Sequence, residues 1–349
     1  MSVGQTSSGG YQDADGSGRM VVKPIITART VVVAVLLLAA PLAIQAQQAV
    51  QGVKTVGVLM PQNVRHQPAY PVFLETLRLL GYHQDRNLRL LVRSADGKLD
   101  RLPTLAAELV AARVDVIVAL NTPGARAAIQ ATKQIPIVMS NVGDPVGTGF
   151  VSNLARPGGN VTGISNMVAD NASKRLAVLK ELVPAAARIG VMFNPDDPIT
   201  QPQLRDAERA APVLNVAIRF FPVRTIGNVP DTFTQMVEWR ADAALWLAGQ
   251  QMAFQRGTVE LAAKHRLPVM VAPRQYVEAG GLISYFPDTS EVYRRTAAYV
   301  HRILKGAKPG DLPIEQPTKF ELAINLKTAK ALGLTIPPSL LVQADRVVE

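Results

Sequence analysis

Short apolar runs alternate with amphipathic stretches along most of the chain. Thr55–Met60, Asp115–Leu120 and Ile135–Met139 have the length and composition of strands, whereas Phe73–Leu80 and Leu102–Arg113 carry apolar residues at helical spacing. The Asp115–Leu120 run is continuous, which is typical of a strand buried on both faces. This alternation of strand and helix predicts a parallel sheet with crossover helices.

The same order of elements then occurs a second time. Three strand-like runs have counterparts about 130 residues later: Val56–Pro61 in Ile189–Pro195, Asp115–Leu120 in Asp242–Leu247, and Ile135–Val138 in Leu267–Met270. The echo indicates an internal repeat, although buried parallel strands also share composition for general reasons. Both interpretations predict an α/β protein with two successive Rossmann-like open sheets.

These patterns divide the chain into lobes. Residues 53–162 form the first lobe, and residues 166–273 form the second, with 274–287 near a second crossing between them. The turn Arg156–Asn160 followed by the strand-like Val161–Ser165 marks the first crossing. Residues 288–349 are predicted to return to the first lobe and to hold the C-terminal segment. A long amphipathic helix, Glu291–Lys305, begins this return behind the capping residues Asp288–Ser290.

The N-terminal residues have the pattern of an export signal. Residues 1–19 are rich in Gly, Ser and Asp, and basic residues then precede the apolar run Thr30–Ile44 and Ala46. The run is about 15 residues long, short of the ~20 that span a bilayer. We expect residues 1–46 to be a leader with a signal cleaved near Ala46, with Met20 as an alternative start. An uncleaved membrane anchor is the alternative interpretation.

Composition excludes several classes of protein. The formal net charge is +10, but the charges are scattered rather than clustered, so a solvated surface is favoured over a nucleic-acid interface. The chain has no cysteine, which excludes disulfides, thiolate catalysis, Cys-ligated metals and a lipid-modified cysteine anchor.

Sequence signatures of an enzyme are missing as well. The Val56–Pro61 run has no G-x-G-x-x-G phosphate loop, and no G-x-S-x-G nucleophile elbow occurs. The four histidines, His66, His83, His265 and His301, are scattered without metal-ligand spacing. We therefore expect no catalysis, no cofactor and no metal.

Open α/β sheets bind ligands beyond the carboxyl ends of their strands, so polar residues at those ends are the candidate contacts. In the first lobe they are Gln62, Asn121, Thr122, Asn141 and Asp144, and in the second Asn194, Gln250, Tyr276, Tyr285 and Asp288.

Three kinds of contact are expected from these residues. Thr122 at the predicted N-cap of a helix suits a carboxylate, the tyrosines suit stacking, and Asp144 or Asp288 suits an ammonium group. Each also has a structural interpretation: Thr122 and Asp288 as helix caps, Asn141 and Asp144 as turn residues, and the tyrosines as core residues.

Specific motifs resemble one family. Asp144–Val146 followed by Ala155–Gly163 resembles a signature of bacterial ABC-transporter substrate-binding proteins. Four C-terminal segments are similar to that family too: Lys305–Pro309, Gln316–Leu322, Ile324–Lys330 and Leu332–Pro337. The resemblance implies a type I periplasmic-binding-protein fold, with a hinge of three crossing segments, and a tryptophan- or tyrosine-receptor-like protein. Lipid-anchored members carry a cysteine after the signal, so its absence here points to a free periplasmic protein.

The expected function is periplasmic capture of a small molecule, an amino acid or another small carboxylate, for the membrane permease of an ABC importer. The alternative is a ligand-sensing subunit that presents the bound state to a signalling receptor, since both functions depend on closure of the lobes. A transcription regulator with this core needs a helix-turn-helix where the chain has its signal. We expect a monomer that binds no nucleic acid.

Overall fold

The computed structural model describes residues 52–64, 67, 69–166, 171–197, 199–249 and 255–349, with the side chains of residues 255 and 256 left out. The predicted leader and signal of residues 1–46 lie outside these residues. Within the described ranges, no helix is both long enough and apolar enough to cross a membrane.

The first lobe is built on a five-stranded sheet with every neighbouring pair parallel, in the order β2-β1-β3-β4-β5. Its strands are β1 Lys54–Met60, β2 Leu88–Ser94, β3 Val116–Leu120, β4 Ile137–Val142 and β5 Val161–Ser165. The helices between these strands are α1 Tyr70–Leu79, α2 Leu102–Ala111 and α3 Asn121–Ala131.

The second lobe is built on a seven-stranded sheet in the order β12-β11-β10-β9-β8-β6-β7. Its strands are β6 Arg188–Phe193, β7 Ala217–Pro222, β8 Ala243–Trp246, β9 Val269–Val271, β10 Ile283–Pro287, β11 Phe320–Asn325 and β12 Arg346–Val348. Only the β10–β11 pair is antiparallel among the strands described.

The remaining helices follow in chain order from the first crossing to the C-terminal segment. They are α4 Ala172–Leu182, α5 Thr200–Val213, α6 Val229–Glu238, α7 Gln255–His265, α8 Gln275–Glu278, α9 Thr289–Leu304, α10 Leu326–Ala331 and α11 Pro338–Gln343.

The predicted repeat is visible in the strand order of the two sheets. The order β2-β1-β3-β4-β5 of the first corresponds to β7-β6-β8-β9-β10 of the second. The three pairs of echoed runs occupy equivalent places, as β1 and β6, β3 and β8, and β4 and β9. The prediction of two open, mostly parallel α/β sheets is therefore confirmed.

Strand β3 shows why a continuous apolar run is needed. Its residues are all buried, and Val116, Val118 and Leu120 join a core that includes residues of α1 and α9. Ile117 and Ala119 face the other way, into a core formed with α2 and α3. Because successive side chains point to opposite faces, a sheet covered by helices on both sides requires apolar residues at every position.

Three segments connect the lobes. The chain crosses between β5 and α4, returns between β10 and α9, and crosses again between α9 and β11. The predicted return of residues 288–349 to the first lobe is right only for its beginning, because β11 and β12 are strands of the second sheet. Strand β11 pairs antiparallel with all five residues of β10, and an apolar run of strand length does not by itself reveal which sheet it joins.

Glu315 in the third crossing binds this segment to the first lobe. Its backbone N–H donates to the carbonyl of Gly163 at 3.0 Å, and its carbonyl accepts from Ser165 N–H at 2.9 Å. Its carboxylate accepts from the Tyr299 hydroxyl at 3.0 Å and lies 3.2 Å from Arg295 Nη1. The pKa of Tyr299 is raised, mainly because its hydroxyl is buried and further because Glu315 lies beside it. The crossing is therefore held both by backbone pairing and by a partly buried side-chain network.

Gly163 allows β5 to approach β4 where the register of that pair shifts. Its φ is +135°, and a Cβ added there would lie 2.1 Å from the Met139 carbonyl oxygen. We expect Gly163→Ala to lower the free energy of unfolding by about 1–3 kcal/mol, because strain and overlap with the backbone cannot be relieved by a rotamer change. Urea denaturation against a Gly227→Ala control, whose added Cβ meets only ordinary contact at 3.6 Å, measures this. Equal stability of the two variants would contradict the assignment.

Candidate functional site

The carboxyl ends of strands from both sheets meet at one region of the molecule. Two cavities lie there, with about 390 Å³ and 610 Å³ of space between the protein atoms. The cavities share five lining residues, Gln62, Asn121, Asn141, Gly249 and Phe286, so they form one continuous site. Both volumes include solvent-open space at the mouths of the cavities, and the walls come from both lobes.

A chain of hydrogen bonds between neutral side chains forms the first-lobe wall. Gln62 Oε1 accepts from Asn121 Nδ2 at 3.2 Å and from Gln67 Nε2 at 3.3 Å. Asn141 Nδ2 donates to Asn121 Oδ1 at 3.0 Å, and at the far end Tyr293 donates its hydroxyl proton to Gln67 Oε1 at 3.0 Å. Asn141 Oδ1 is buried and has no hydrogen-bond partner among the described residues. The wall thus keeps one acceptor available for a ligand.

Two of these amides stand on strained backbone. Asn121 has φ of +56° and Asn141 has φ of +61°, both in the left-handed region that Asn tolerates better than most residues. Asn121 directly follows β3, and Asn141 lies in the last residues of β4. Non-glycine residues held in this region cluster at functional sites.

Thr122 was predicted to be the N-cap of a helix, and this prediction is wrong in its detail. Helix α3 begins at Asn121, and the Thr122 hydroxyl instead accepts the backbone N–H of Gly143 at 3.2 Å. The helix starts two residues earlier than predicted, with Leu120 as its N-cap and a positive φ at Asn121, a feature that the Thr-Pro pair does not reveal. Thr122 is nevertheless buried and lines the smaller cavity, where the N-terminus of α3 opens.

The second-lobe wall is more apolar. Ile199, Ala248, Ala272 and Phe286 form a small buried cluster that lines the cavities. Tyr276 lines the larger cavity, and its buried hydroxyl has no hydrogen-bond partner among the described residues. Burial raises the pKa of Tyr276, so its hydroxyl is neutral and available as a donor.

The described residues that line the site include one carboxylate. Asp197 lines the smaller cavity and is only 2% exposed. Its Oδ1 accepts the Ile199 N–H at 3.2 Å. A buried carboxylate beside neutral amides is a suitable partner for a cationic group.

Sequence reasoning missed several residues that line the cavities, namely Gln67, Asn166, Asp197, Phe286 and Tyr293. Asn166 follows β5 as Asn121 follows β3, so the strand-end rule, applied to every strand, would have found it. Phe286 neighbours Tyr285 in β10, and the period of two places them on opposite faces. Tyr293 comes from α9, which reaches the first lobe only through the second crossing.

Asp144 and Asn194 do not line either cavity. Asp144 Oδ1 accepts the N–H of Gly147 at 2.8 Å, and its φ is +36°. Asn194 Oδ1 accepts the N–H of Asp196 at 3.0 Å. Both side chains stabilise the turns that follow their strands, which is the structural interpretation of the same pattern.

Tyr285 and Asp288 also lie outside the cavity walls. Tyr285 stacks on Phe320 with ring centroids 5.5 Å apart, and burial raises its pKa. Asp288 is the N-cap of α9, where Oδ1 accepts from Ser290 N–H at 2.9 Å and from Glu291 N–H at 3.2 Å. The predicted contact Gln250 lies outside the described residues.

The chain is similar in sequence and fold to known proteins. A family model for ABC transporter substrate binding proteins matches residues 62–348. A tyrosine-binding protein from Clostridioides difficile (strain R20291) is 28% identical over 264 residues, which is 75% of each chain.

Two solved structures are similar over nearly their whole length. A Streptococcus pneumonia ABC domain in complex with L-Trp has a TM-score of 0.80 at 27% identity, covering 85% of this chain and 100% of that one. The ligand-free, open structure of a substrate-binding protein with adhesive properties from Clostridium difficile has a TM-score of 0.64 at 25% identity, covering 85% and 99%.

The cap at Asp288 gives a prediction on stability. Asp288→Ala leaves two N–H groups of α9 without their acceptor and should lower the free energy of unfolding by about 1 kcal/mol. Asp288→Asn keeps an acceptor oxygen and should retain most of the stability. Urea midpoints of the two variants test this, and an Asp288→Ala protein as stable as the unmodified chain would rule out the capping role.

Proposed function

Since the chain belongs to the family of ABC transporter substrate-binding proteins, we propose that it captures an amino acid with an aromatic side chain in the periplasm. It then delivers this amino acid to the permease of an ABC importer. The observation that supports this most is a continuous site walled by both lobes, with amides on one side and aromatic and aliphatic groups on the other. The protein binds its ligand without changing it.

The polar groups of an amino acid have suitable partners in the site. Asp197 and the unpartnered Asn141 Oδ1 are acceptors for the ammonium group. Thr122 and Asn121 at the start of α3 lie where a helix N-terminus favours a carboxylate. Buried charges require such hydrogen-bonded partners, and neutral amides provide them without introducing an opposing charge.

The side chain of the amino acid has partners as well. Phe286, Tyr276 and Tyr293 line the larger cavity and are suited to contact with an aromatic ring. The Tyr276 hydroxyl has no partner among the described residues, and such a buried group costs about 1–3 kcal/mol unless a ligand satisfies it. A ring that carries its own polar atom, as in tyrosine or tryptophan, removes this cost. The names of the two relatives point to the same ligand class.

Transport requires that the ligand be released, and the hinge between the lobes allows this release. Three short crossings join the lobes, so a hinge motion opens the site and exposes the ligand to a permease docked across both lobes. The signal-like residues that end near Ala46 support export, and the absence of cysteine from the sequence supports a periplasmic protein without a lipid anchor, which we propose to be a monomer.

Ligand identity is tested by thermal unfolding of the mature protein with L-tyrosine, L-tryptophan, a non-aromatic amino acid and a sugar. An aromatic amino acid at 100 times its Kd should add ~2.7 kcal/mol to the stability of the folded state. We expect Asn141→Ala to weaken that binding at least tenfold. Asn215→Ala is the matched control, because Asn215 also has a left-handed φ, of +53°, but is exposed far from the cavity walls.

The two variants separate a binding role from backbone strain, since both place Ala in the left-handed region. A shift caused by the sugar and by neither aromatic amino acid would contradict the proposed ligand. If the Asn141→Ala and Asn215→Ala variants bind the aromatic amino acid with equal affinity, Asn141 does not contact the ligand.

A further inference from the structure

One side chain of the second lobe fills a space in the first. A Cβ added to Gly143 would lie 2.0 Å from Ile199 Cδ1 and 2.4 Å from Ile199 Cγ1. Ile199 is 6% exposed, although it stands at the start of α5 on the cleft side of its lobe. The Ile199 side chain thus occupies the space that a side chain at position 143 would fill.

The absence of a side chain at position 143 is explained by space rather than by backbone conformation. Gly143 is not among the described residues with positive φ, so an L-amino acid with a Cβ could adopt its backbone geometry. A methyl group there would overlap Ile199 only while the two lobes are together. The requirement for glycine therefore belongs to the closed arrangement of the lobes.

The receiving surface is held rigidly. The backbone N–H of Gly143 donates to Thr122 Oγ1 at 3.2 Å. The carbonyls of the two preceding residues, Asn141 and Val142, accept from Asn166 Nδ2 at 3.1 Å and from Asn166 N–H at 2.9 Å. Thr122, Asn141 and Asn166 also line the smaller cavity.

The backbone of Ile199 is fixed by hydrogen bonds as well. The Ile199 N–H donates to Asp197 Oδ1, and its carbonyl accepts from Gln203 Nε2 at 2.9 Å. Gln203 is fully buried, and its amide also bonds both the N–H and the carbonyl of Ala248 at 2.8 Å. Asp197, Ile199 and Ala248 line the smaller cavity. The residues that hold the contact between the lobes therefore also line the ligand site.

We propose that Ile199 is a positioning residue that seats against Gly143 and stabilises the closed lobes through a direct protein contact, and so sets the affinity for the ligand. The proposal deepens the function given above and rests on it. At nearly equal identity, the fold is closer to the complex with L-Trp, at a TM-score of 0.80, than to the open ligand-free structure, at 0.64. The apparent affinity for the ligand rises in proportion to the fraction of the protein that is already in the binding-competent state before the ligand binds.

A fluorescence transfer experiment measures closure directly. The chain has no cysteine, so Lys98→Cys in the first lobe and Asp231→Cys in the second, both exposed, accept a dye pair without background labelling. Three variants are compared with the unmodified protein in this background: Gly143→Ala, Ile199→Ala and the double variant. Gly227→Ala is the matched control, since its added Cβ meets nothing closer than 3.6 Å.

We expect Gly143→Ala to reduce the closed fraction without ligand and to weaken L-tyrosine binding at least tenfold, while the melting temperature of the ligand-free protein equals that of the Gly227→Ala control. Ile199→Ala should show a smaller loss of closure. In the Ile199→Ala background, Gly143→Ala should have no further effect, because the overlapping atoms are gone. A merely structural role for either residue would lower the melting temperature and would not give this rescue.

Two results overturn the proposal. One is a Gly143→Ala protein that closes and binds like the unmodified protein. The other is a double variant whose fold-losses of closure and of affinity equal the product of the losses in the two single variants. If neither L-tyrosine nor L-tryptophan binds the unmodified protein, the proposed ligand is wrong. The comparison of closed fractions without ligand still decides the role of Ile199. If Gly143→Ala fails to fold, Ile199→Ala alone tests the contact by the same measurement.

Discussion

Buried side-chain amides need hydrogen-bond partners, and this need organises the first-lobe side of the cleft. Gln62, Asn121 and Asn141 come from the ends of different strands, and each satisfies its neighbour. Because the amides are neutral, they remain buried without the large cost of buried charge. The arrangement leaves one acceptor, Asn141 Oδ1, without a protein partner. A ligand that donates a hydrogen bond at this point completes the network.

The parallel sheet explains why these residues meet. In both sheets the strand order reverses beside the first strand of the lobe, so loops after neighbouring strands separate and leave a crevice. The crevices of the two lobes face each other, and three crossings keep them in register. A ligand between them touches both halves, and so does the Ile199–Gly143 contact. In the proposed function, ligand binding and lobe closure are therefore coupled through shared residues rather than through a long pathway.

Much of the fold could be predicted from the sequence, whereas much less of the candidate site could be predicted. Strand β3 and the helix capped by Asp288 follow from local patterns of apolar residues and caps, and the repeat follows from three echoed runs. The strand-end rule brought Gln62, Asn121, Thr122, Asn141 and Tyr276 to the cavity walls. It failed for Asp288 and Asp144, since a side chain that caps a helix or turn occupies the same sequence positions as one that contacts a ligand. It also missed Tyr293, whose place depends on a long-range return of the chain.

A crystal structure of the mature protein grown with L-tyrosine shows directly whether the two lobes enclose the ligand. We expect the amino acid between the lobes, with its ammonium group near Asn141 and Asp197 and its ring beside Phe286 and Tyr276. Ile199 should be seated against Gly143 in that crystal. Ligand density on the outside of one lobe, or an occupied site contacted by one lobe alone, would contradict this placement of the ligand.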